Sequence, residues 1–168
     1  MGLTPSLGPR RSGVARDRTA AWVRDEIVQV TVGAFFVLLA FFQHNTPPFF
    51  DPSEEILFRN YLKSAPNYYV IKQGQSIVAG GGFELENKHT ASLSWGMVHP
   101  NWQGQGVGTE LTKFRIKEIK KNPDIQKVYI KTSQLVWGFY QKMGFTLLKK
   151  EVDFFGNGLD LYEMELEL

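Results

Sequence analysis

Cysteine is absent from this 168-residue chain, which excludes a disulfide framework, thiolate metal ligands and a cysteine nucleophile. The redox compartment is therefore unread. Histidine is scarce: His44, His89 and His99 are too far apart for the short helical spacing of a metal-binding pair, so no metal is expected. Charge of one sign is lacking too, with 19 Lys and Arg against 17 Asp and Glu, a balance that demands neither nucleic acid nor an acidic membrane as partner. The longest apolar run, Val30 to Phe42, falls short of the roughly 18–20 residues that span a bilayer. No internal repeat is visible. What remains is a chain of ordinary composition, 43% hydrophobic, long enough to bury one core.

The first 20 residues read differently from the rest, with Pro5, Pro9, Arg10, Arg11, Arg16 and Arg18 and little that could enter a core. The expectation is a flexible tail over 1–20 and a single domain over 21–168. Two other readings of the tail stay open: a basic, acid-poor transit segment, and an N-myristoylation pattern in Met1-Gly2 with Ser6. The run Val30 to Phe42 is read as a buried segment. Arg18 and Arg24 ahead of it leave a signal anchor open, against which stand the nearby Asp25, Glu26 and Gln29. A cytoplasmic protein without stable membrane association is expected.

Residue patterns predict a strand over Ile27–Thr31, then a helix over Phe35–Gln43 buried on most sides. Asp51-Pro52-Ser53-Glu54-Glu55 carries helix-start chemistry, and a helix over Ser53–Lys63 follows, with Ile56, Leu57 and Tyr61 available to pack. Three strands come next, at Tyr68–Lys72, Ser76–Leu85 and Thr90–Val98, separated by turns at Gln73–Gln75 and Glu86–His89. A helix over Gly106–Lys121 places Val107, Leu111 and Phe114 at helical spacing, with Lys113, Lys117, Lys120 and Lys121 on other faces. A strand at Lys127–Lys131, a short helix at Leu135–Lys142 closed by Gly144, and a hairpin pair at Thr146–Asp153 and Leu159–Leu168 complete the chain. The fold class is α/β (α+β), with a mixed, mostly antiparallel central sheet flanked by helices.

The stretch His99-Pro100-Asn101-Trp102-Gln103-Gly104-Gln105-Gly106-Val107-Gly108 carries the most chemistry. A strand ends just before it, and a helix begins on its glycines. Such a junction leaves several backbone N–H groups close together at a helix N-terminus, where they suit a phosphate or diphosphate. A P-loop is excluded because Thr109-Glu110 follows Gly108 where Lys and Ser or Thr are required. A dinucleotide fold is excluded because the loop comes late, after an antiparallel meander. A purely structural glycine loop stays open.

Gln103-x-x-Gly106-x-Gly108, preceded by Val98-His99-Pro100, resembles the acetyl-CoA motif of the GNAT N-acetyltransferases. Ser133 ahead of Phe139-Tyr140-x-x-x-Gly144-Phe145 extends the resemblance, which spans about Tyr68 to Leu168. It implies a GNAT-like fold with acetyl-CoA as cosubstrate. It also implies that Gln103, Gly104, Gln105, Gly106, Val107, Gly108 and Thr109 cradle the diphosphate, that backbone groups of Met97 and Val98 pair with the pantetheine arm, and that Ser133 touches the same cofactor. Tyr140 would sit beside the sulfur as general acid, and the Val98 N–H would hold the carbonyl oxygen.

The strand carrying Val98 reads Ala91-Ser92-Leu93-Ser94-Trp95-Gly96, with no acid. Glu84 and Glu86, near the end of the preceding strand, are therefore the nearest candidates for the base, against a reading as solvated hairpin acids. His99 reads as a turn residue before Pro100. Phe154, Phe155 and Asp160 of the last hairpin are placed to line the acceptor side. The expected activity is transfer of an acetyl group to a primary amine of a small molecule or peptide; the alternative is a non-catalytic acyl-CoA-binding sensor or scaffold of the same fold. A homodimer is left open.

Overall fold

A computed structural model describes residues 26–30, 34–47, 49–64, 67–156 and 158–168. The tail over 1–20, with each reading attached to it, lies outside them. Among the described residues seven strands form one sheet: β1 Glu26–Gln29, β2 Tyr68–Gln73, β3 Ser76–Leu85, β4 Thr90–Val98, β5 Lys127–Ser133, β6 Thr146–Gly156 and β7 Leu159–Glu167. Their order across the sheet is β1-β2-β3-β4-β5-β7-β6, antiparallel throughout except at β4 and β5. Among the same residues four helices flank it: α1 Phe35–His44, α2 Glu55–Ser64, α3 Val107–Ile119 and α4 Trp137–Lys142.

The apolar alternation of the strands feeds both faces. On one, Phe83, Leu93, Val128, Ile130 and Met164 meet Ile119 of α3 and Tyr140 of α4. On the other, Tyr68, Val70 and Met97 meet Leu38 and Phe42 of α1 and Phe58 of α2. The mixed, mostly antiparallel sheet expected from the sequence is thus present, with helices on both sides.

Two helices pack differently from the sequence expectation. α1 buries Leu38, Leu39, Phe41 and Phe42 while Phe36 is 78% exposed, so it is one-sided rather than buried on most sides. Val30, the first residue of the apolar run, instead pairs with the sheet, donating its N–H to Tyr68 O at 2.8 Å, so the run is not one helix from its start. Among the described residues no helix is long and apolar enough to cross a membrane. In α2 the inward stripe is Phe58, Tyr61 and Leu62, at the i, i+3, i+4 spacing of one helix face, while Ile56 and Leu57 are exposed. The start of α2 is set by a 3-10 turn, Pro52–Glu54, capped reciprocally by the Asp51 carboxylate and the Glu54 side chain.

The parallel pair β4 and β5 opens the centre of the sheet. Its register runs only through Thr90↔Lys127, Ala91↔Val128 and Ser92↔Tyr129. Beyond Ser92 and Tyr129 the two strands part and a cleft opens between them. α3 connects one to the other, passing over the face that holds Leu93 and Ile130.

Phe58 is the one fully buried side chain of α2, stacked on Phe42 at 5.7 Å between ring centroids. Phe58→Ala is expected to destabilise the chain by about 3–5 kcal/mol. Chemical denaturation followed by far-ultraviolet circular dichroism reads that loss.

Candidate functional site

The cleft between the diverging strands has a volume of about 1160 Å³, and its walls come from β4, β5, the loop before α3, and α4. Its entrance at one end is the glycine loop. His99, Pro100 and Asn101 first form a tight turn, the His99 ring nitrogen accepting from Asn101 N–H at 3.2 Å. Gly104 and Gly106 then take φ of +72° and +86°, where a side chain would be strained, yet a Cβ at either would meet nothing within 4 Å. Glycine is required there by backbone direction and not by crowding.

The result is a helix start without a side-chain cap. Gly106 is the N-cap of α3, and the first helical bond runs from Glu110 N–H to Gly106 O at 3.0 Å. The amides of Val107, Gly108 and Thr109 lie ahead of that bond, at the positive end of the helix. Gly104, Gly106, Gly108 and Thr109 line the cleft, whereas Val107 is buried beneath it and the Gln105 side chain turns back to Asn101 O at 2.7 Å. The Gln103 side chain is also held within the protein: its Nε2 donates to Val98 O at 3.1 Å and to Asn45 Oδ1 of the α1 terminus at 3.3 Å. Its contribution to any ligand would be through its backbone.

β4 supplies the long wall. His99 N–H points toward β3, donating to Val78 O at 2.9 Å, so alternation along the strand directs the N–H of Val98 to the opposite, cleft side. The Val98 carbonyl, which shares that direction, is the one Gln103 reaches. Opposite, Ser133 ends β5 almost fully buried, its Oγ accepting from Leu135 N–H at 3.3 Å. Tyr140 is 6% exposed, packed edge-on against Phe139 and Phe145, and lines the same cleft. The ring of Phe139 approaches the Cβ position of Gly108 at 3.7 Å, so α4 sits directly over the first turn of α3.

The two candidate bases differ in place. Glu86 lines the cleft and accepts a hydrogen bond from Ser92 Oγ. Glu84 pairs opposite Ser92 on β3 but does not line the cleft; partial burial and the charge of Glu86 raise its carboxyl above the usual range. Phe155 lines the cleft, while the Asp160 carboxylate accepts from Asp153 N–H at 3.0 Å and shapes the hairpin instead. Among the described residues no group of three His, Asp or Glu side chains converges as a metal site.

Glu54, Trp95 and Arg115 are among the cleft residues that went unmarked in the sequence. Glu54 stands at the far end with Phe49 and Phe50, its carboxyl raised by burial although Asp51 N–H, at 2.8 Å, partly offsets this. Its position in a helix-start pattern gave it a sufficient local role. Trp95 lies at a break in β4, and Arg115 is 1% exposed at the position where helical spacing from Val107 and Leu111 calls for an apolar residue. Phe114, expected there, instead packs half-buried across Tyr69 at 5.0 Å.

Residues 49–168 match the acetyltransferase (GNAT) domain. Comparison with curated proteins gives no match. Among solved structures, the chain resembles the ribosomal-protein-S18-alanine N-acetyltransferase of Escherichia coli, with TM-score 0.73 and 17% identity over 84% of this chain and 92% of that one. It also resembles a GNAT family acetyltransferase from Elizabethkingia anophelis with acetyl-CoA bound, with TM-score 0.66 and 24% identity over 85% and 97% of the two chains. Ard1 from Thermoplasma volcanium gives TM-score 0.73 and 14% identity over 85% and 97%.

Gly106 and Gly138 make a matched test of the loop, since a methyl group meets nothing at either but only Gly106 has positive φ. Gly106→Ala is expected to cost about 1–2 kcal/mol, and Gly138→Ala, within α4, to gain about 0.4–1 kcal/mol. Thermal melts of the two variants beside the parent check both signs.

Proposed function

Since the chain belongs to the GNAT acetyltransferase family, we propose that it is an N-acetyltransferase carrying an acetyl group from acetyl-CoA to a primary amine of a small molecule or peptide. One observation carries this reading: an uncapped helix start, built on two left-handed glycines, opens into a cleft that also holds the Val98 edge of β4 and the Tyr140 ring. The amides that precede Glu110 suit a diphosphate, and neither glycine has a side chain to obstruct it. The residues present therefore fit acetyl-CoA. When bound, acetyl-CoA supplies an activated acyl group with a thiolate as leaving group.

The remaining work falls to the chain's own residues. Backbone groups of Gln103 to Thr109 hold the diphosphate, Met97 and Val98 offer the pantetheine arm a strand edge, and Ser133 faces it from β5. The Val98 N–H donates to the thioester carbonyl oxygen, where negative charge grows as the amine attacks directly. Tyr140 donates its phenolic proton to the departing sulfur. A free amine nitrogen is needed, and Glu86 takes its proton, with Glu84 behind it as a second acceptor through water. As nitrogen bonds to carbon, the carbon–sulfur bond breaks, so an amide and free CoA leave.

The proposal treats residues 21–168 as one domain and keeps the cytoplasmic setting expected from the sequence. A CoA-binding protein without turnover is the competing outcome. Acetyl-CoA is expected to raise the melting temperature with the logarithm of its excess over Kd, and a panel of primary amines to release free CoA. Stabilisation without release from any amine would favour the sensor. Tyr140→Phe should lower kcat by about 10²–10⁴-fold with acetyl-CoA affinity kept; equal losses in both would assign Tyr140 to packing.

A further inference from the structure

β4 does not run straight into the cleft. Its register with β3 passes from Gly82↔Ser94 to Gly80↔Met97, so Trp95 and Gly96 stand opposite Gly81 alone. This is a β-bulge, and Trp95 takes a φ of +47° within it, a conformation that is strained for a non-glycine residue. A bulge takes backbone carbonyls out of the ladder, and they need partners elsewhere.

Side chains from both faces supply them. From the α1 and α2 face, the buried hydroxyl of Tyr68 donates to Trp95 O at 3.0 Å. From the α3 face, Arg115 Nη1 donates to Gly82 O at 3.1 Å and Ser94 O at 3.4 Å, while Nη2 donates to Thr112 Oγ1 at 3.1 Å. The sheet is cleared for these groups. A Cβ on Gly81 would lie 2.9 Å from Arg115 Nη1, one on Gly96 3.2 Å from Nη2, and one on Gly80 3.0 Å from the Tyr68 hydroxyl.

The guanidinium is 1% exposed, its Nε has no hydrogen-bond partner, and among the described ion pairs none includes it. Burying a cation without a carboxylate costs several kcal/mol, and an apolar side chain of similar volume would serve packing at least as well. Arg115 is therefore ill suited as a core residue and well suited as a donor to the carbonyls that flank the bulge.

We infer that Arg115 is a positioning residue: with Tyr68 it clamps the β4 bulge from opposite faces and so fixes the direction in which the Met97 and Val98 backbone meets the cleft. The inference rests on the proposed acetyl transfer for its effect on rate, but the clamp itself can be read without turnover. A backbone donor aimed at developing charge loses effect when it swings by a fraction of an ångström. Arg115 spends its donors on Gly82 O, Ser94 O and Thr112 Oγ1, so it acts through the strand.

The test uses the full chain with Arg115→Met, Arg115→Lys and Tyr68→Phe, followed by hydrogen exchange of the 94–98 segment, melting temperature, and acetyl-CoA-dependent release of CoA. Arg115→Met is expected to speed exchange in 94–98, leave 127–133 unchanged, and lower kcat at least about tenfold with the acetyl-CoA KM little altered, as loss of charge-assisted donors implies. Lys should restore part of the rate by keeping one donor. Combined with Tyr68→Phe, the loss should be smaller than the product of the two, because both act on one bulge. Unchanged exchange in 94–98 would overturn the clamp, as would faster exchange across the whole sheet with a parallel fall in melting temperature. So would unaltered kcat where the parent turns over. Should Arg115→Met fail to fold, Tyr68→Phe, which removes one oxygen atom, carries the same readouts. A parent without turnover would sink the proposed reaction while the exchange data still decide the clamp.

Discussion

Everything at the site depends on how little of β4 is paired with β5. Three residue pairs join them, and past Ser92 and Tyr129 each strand presents an edge with no strand opposite. An unpaired edge in the middle of a sheet would ordinarily be an unsatisfied row of donors and acceptors. Here part of that row is met by a side chain, Gln103 reaching the Val98 carbonyl, while Arg115 and Tyr68 reach carbonyls at the bulge between β3 and β4. What is left over is directional, the Val98 N–H among it, and it faces a cleft whose other end is an uncapped helix start. The cleft is thus a consequence of strand divergence, and its polarity a consequence of which backbone groups the side chains leave alone.

Much of this is legible in the residues. The strand edges at Ser76–Leu85 and Thr90–Val98 fall where alternation and turns put them, and α3 begins on the glycines, with Gly106 as its N-cap. Gly144, assigned to close α4, has a φ of +95°. The loop chemistry is readable because Gly104 and Gly106 need positive φ, a requirement written in residue type. Strand divergence is not readable, since Leu93 to Val98 has the same β-forming character whether or not a neighbour pairs with it. Nor is the bulge, because Trp95 is a good strand residue and only the register with Gly80 and Gly82 shows it to be extra.

The departures from expectation share one cause. Spacing places Phe114 inward, yet the helix presents Arg115 to the sheet because the glycines on β3 and β4 leave a hollow there. Ile56 and Leu57 read as packing residues, while Phe58 fills the space beside Phe42. In both helices the phase of the inward stripe is set by the partner's shape, which periodicity alone does not contain. For Glu54, a complete local explanation as half of a capping pair conceals its place in the cleft wall.

The outermost strand, β6, is exposed along nearly its whole length, with Val152 76% exposed and Leu148 49% exposed. A free border of that kind invites stacking of one molecule on another into growing ribbons. Lys149, Lys150 and Glu151 place charge along it, and between Glu151 and Gly156 the register breaks while Asp153 turns to a φ of +54°. A border so charged and bent is a poor template for a flat copy of itself, so the rim that terminates the sheet blunts its own edge.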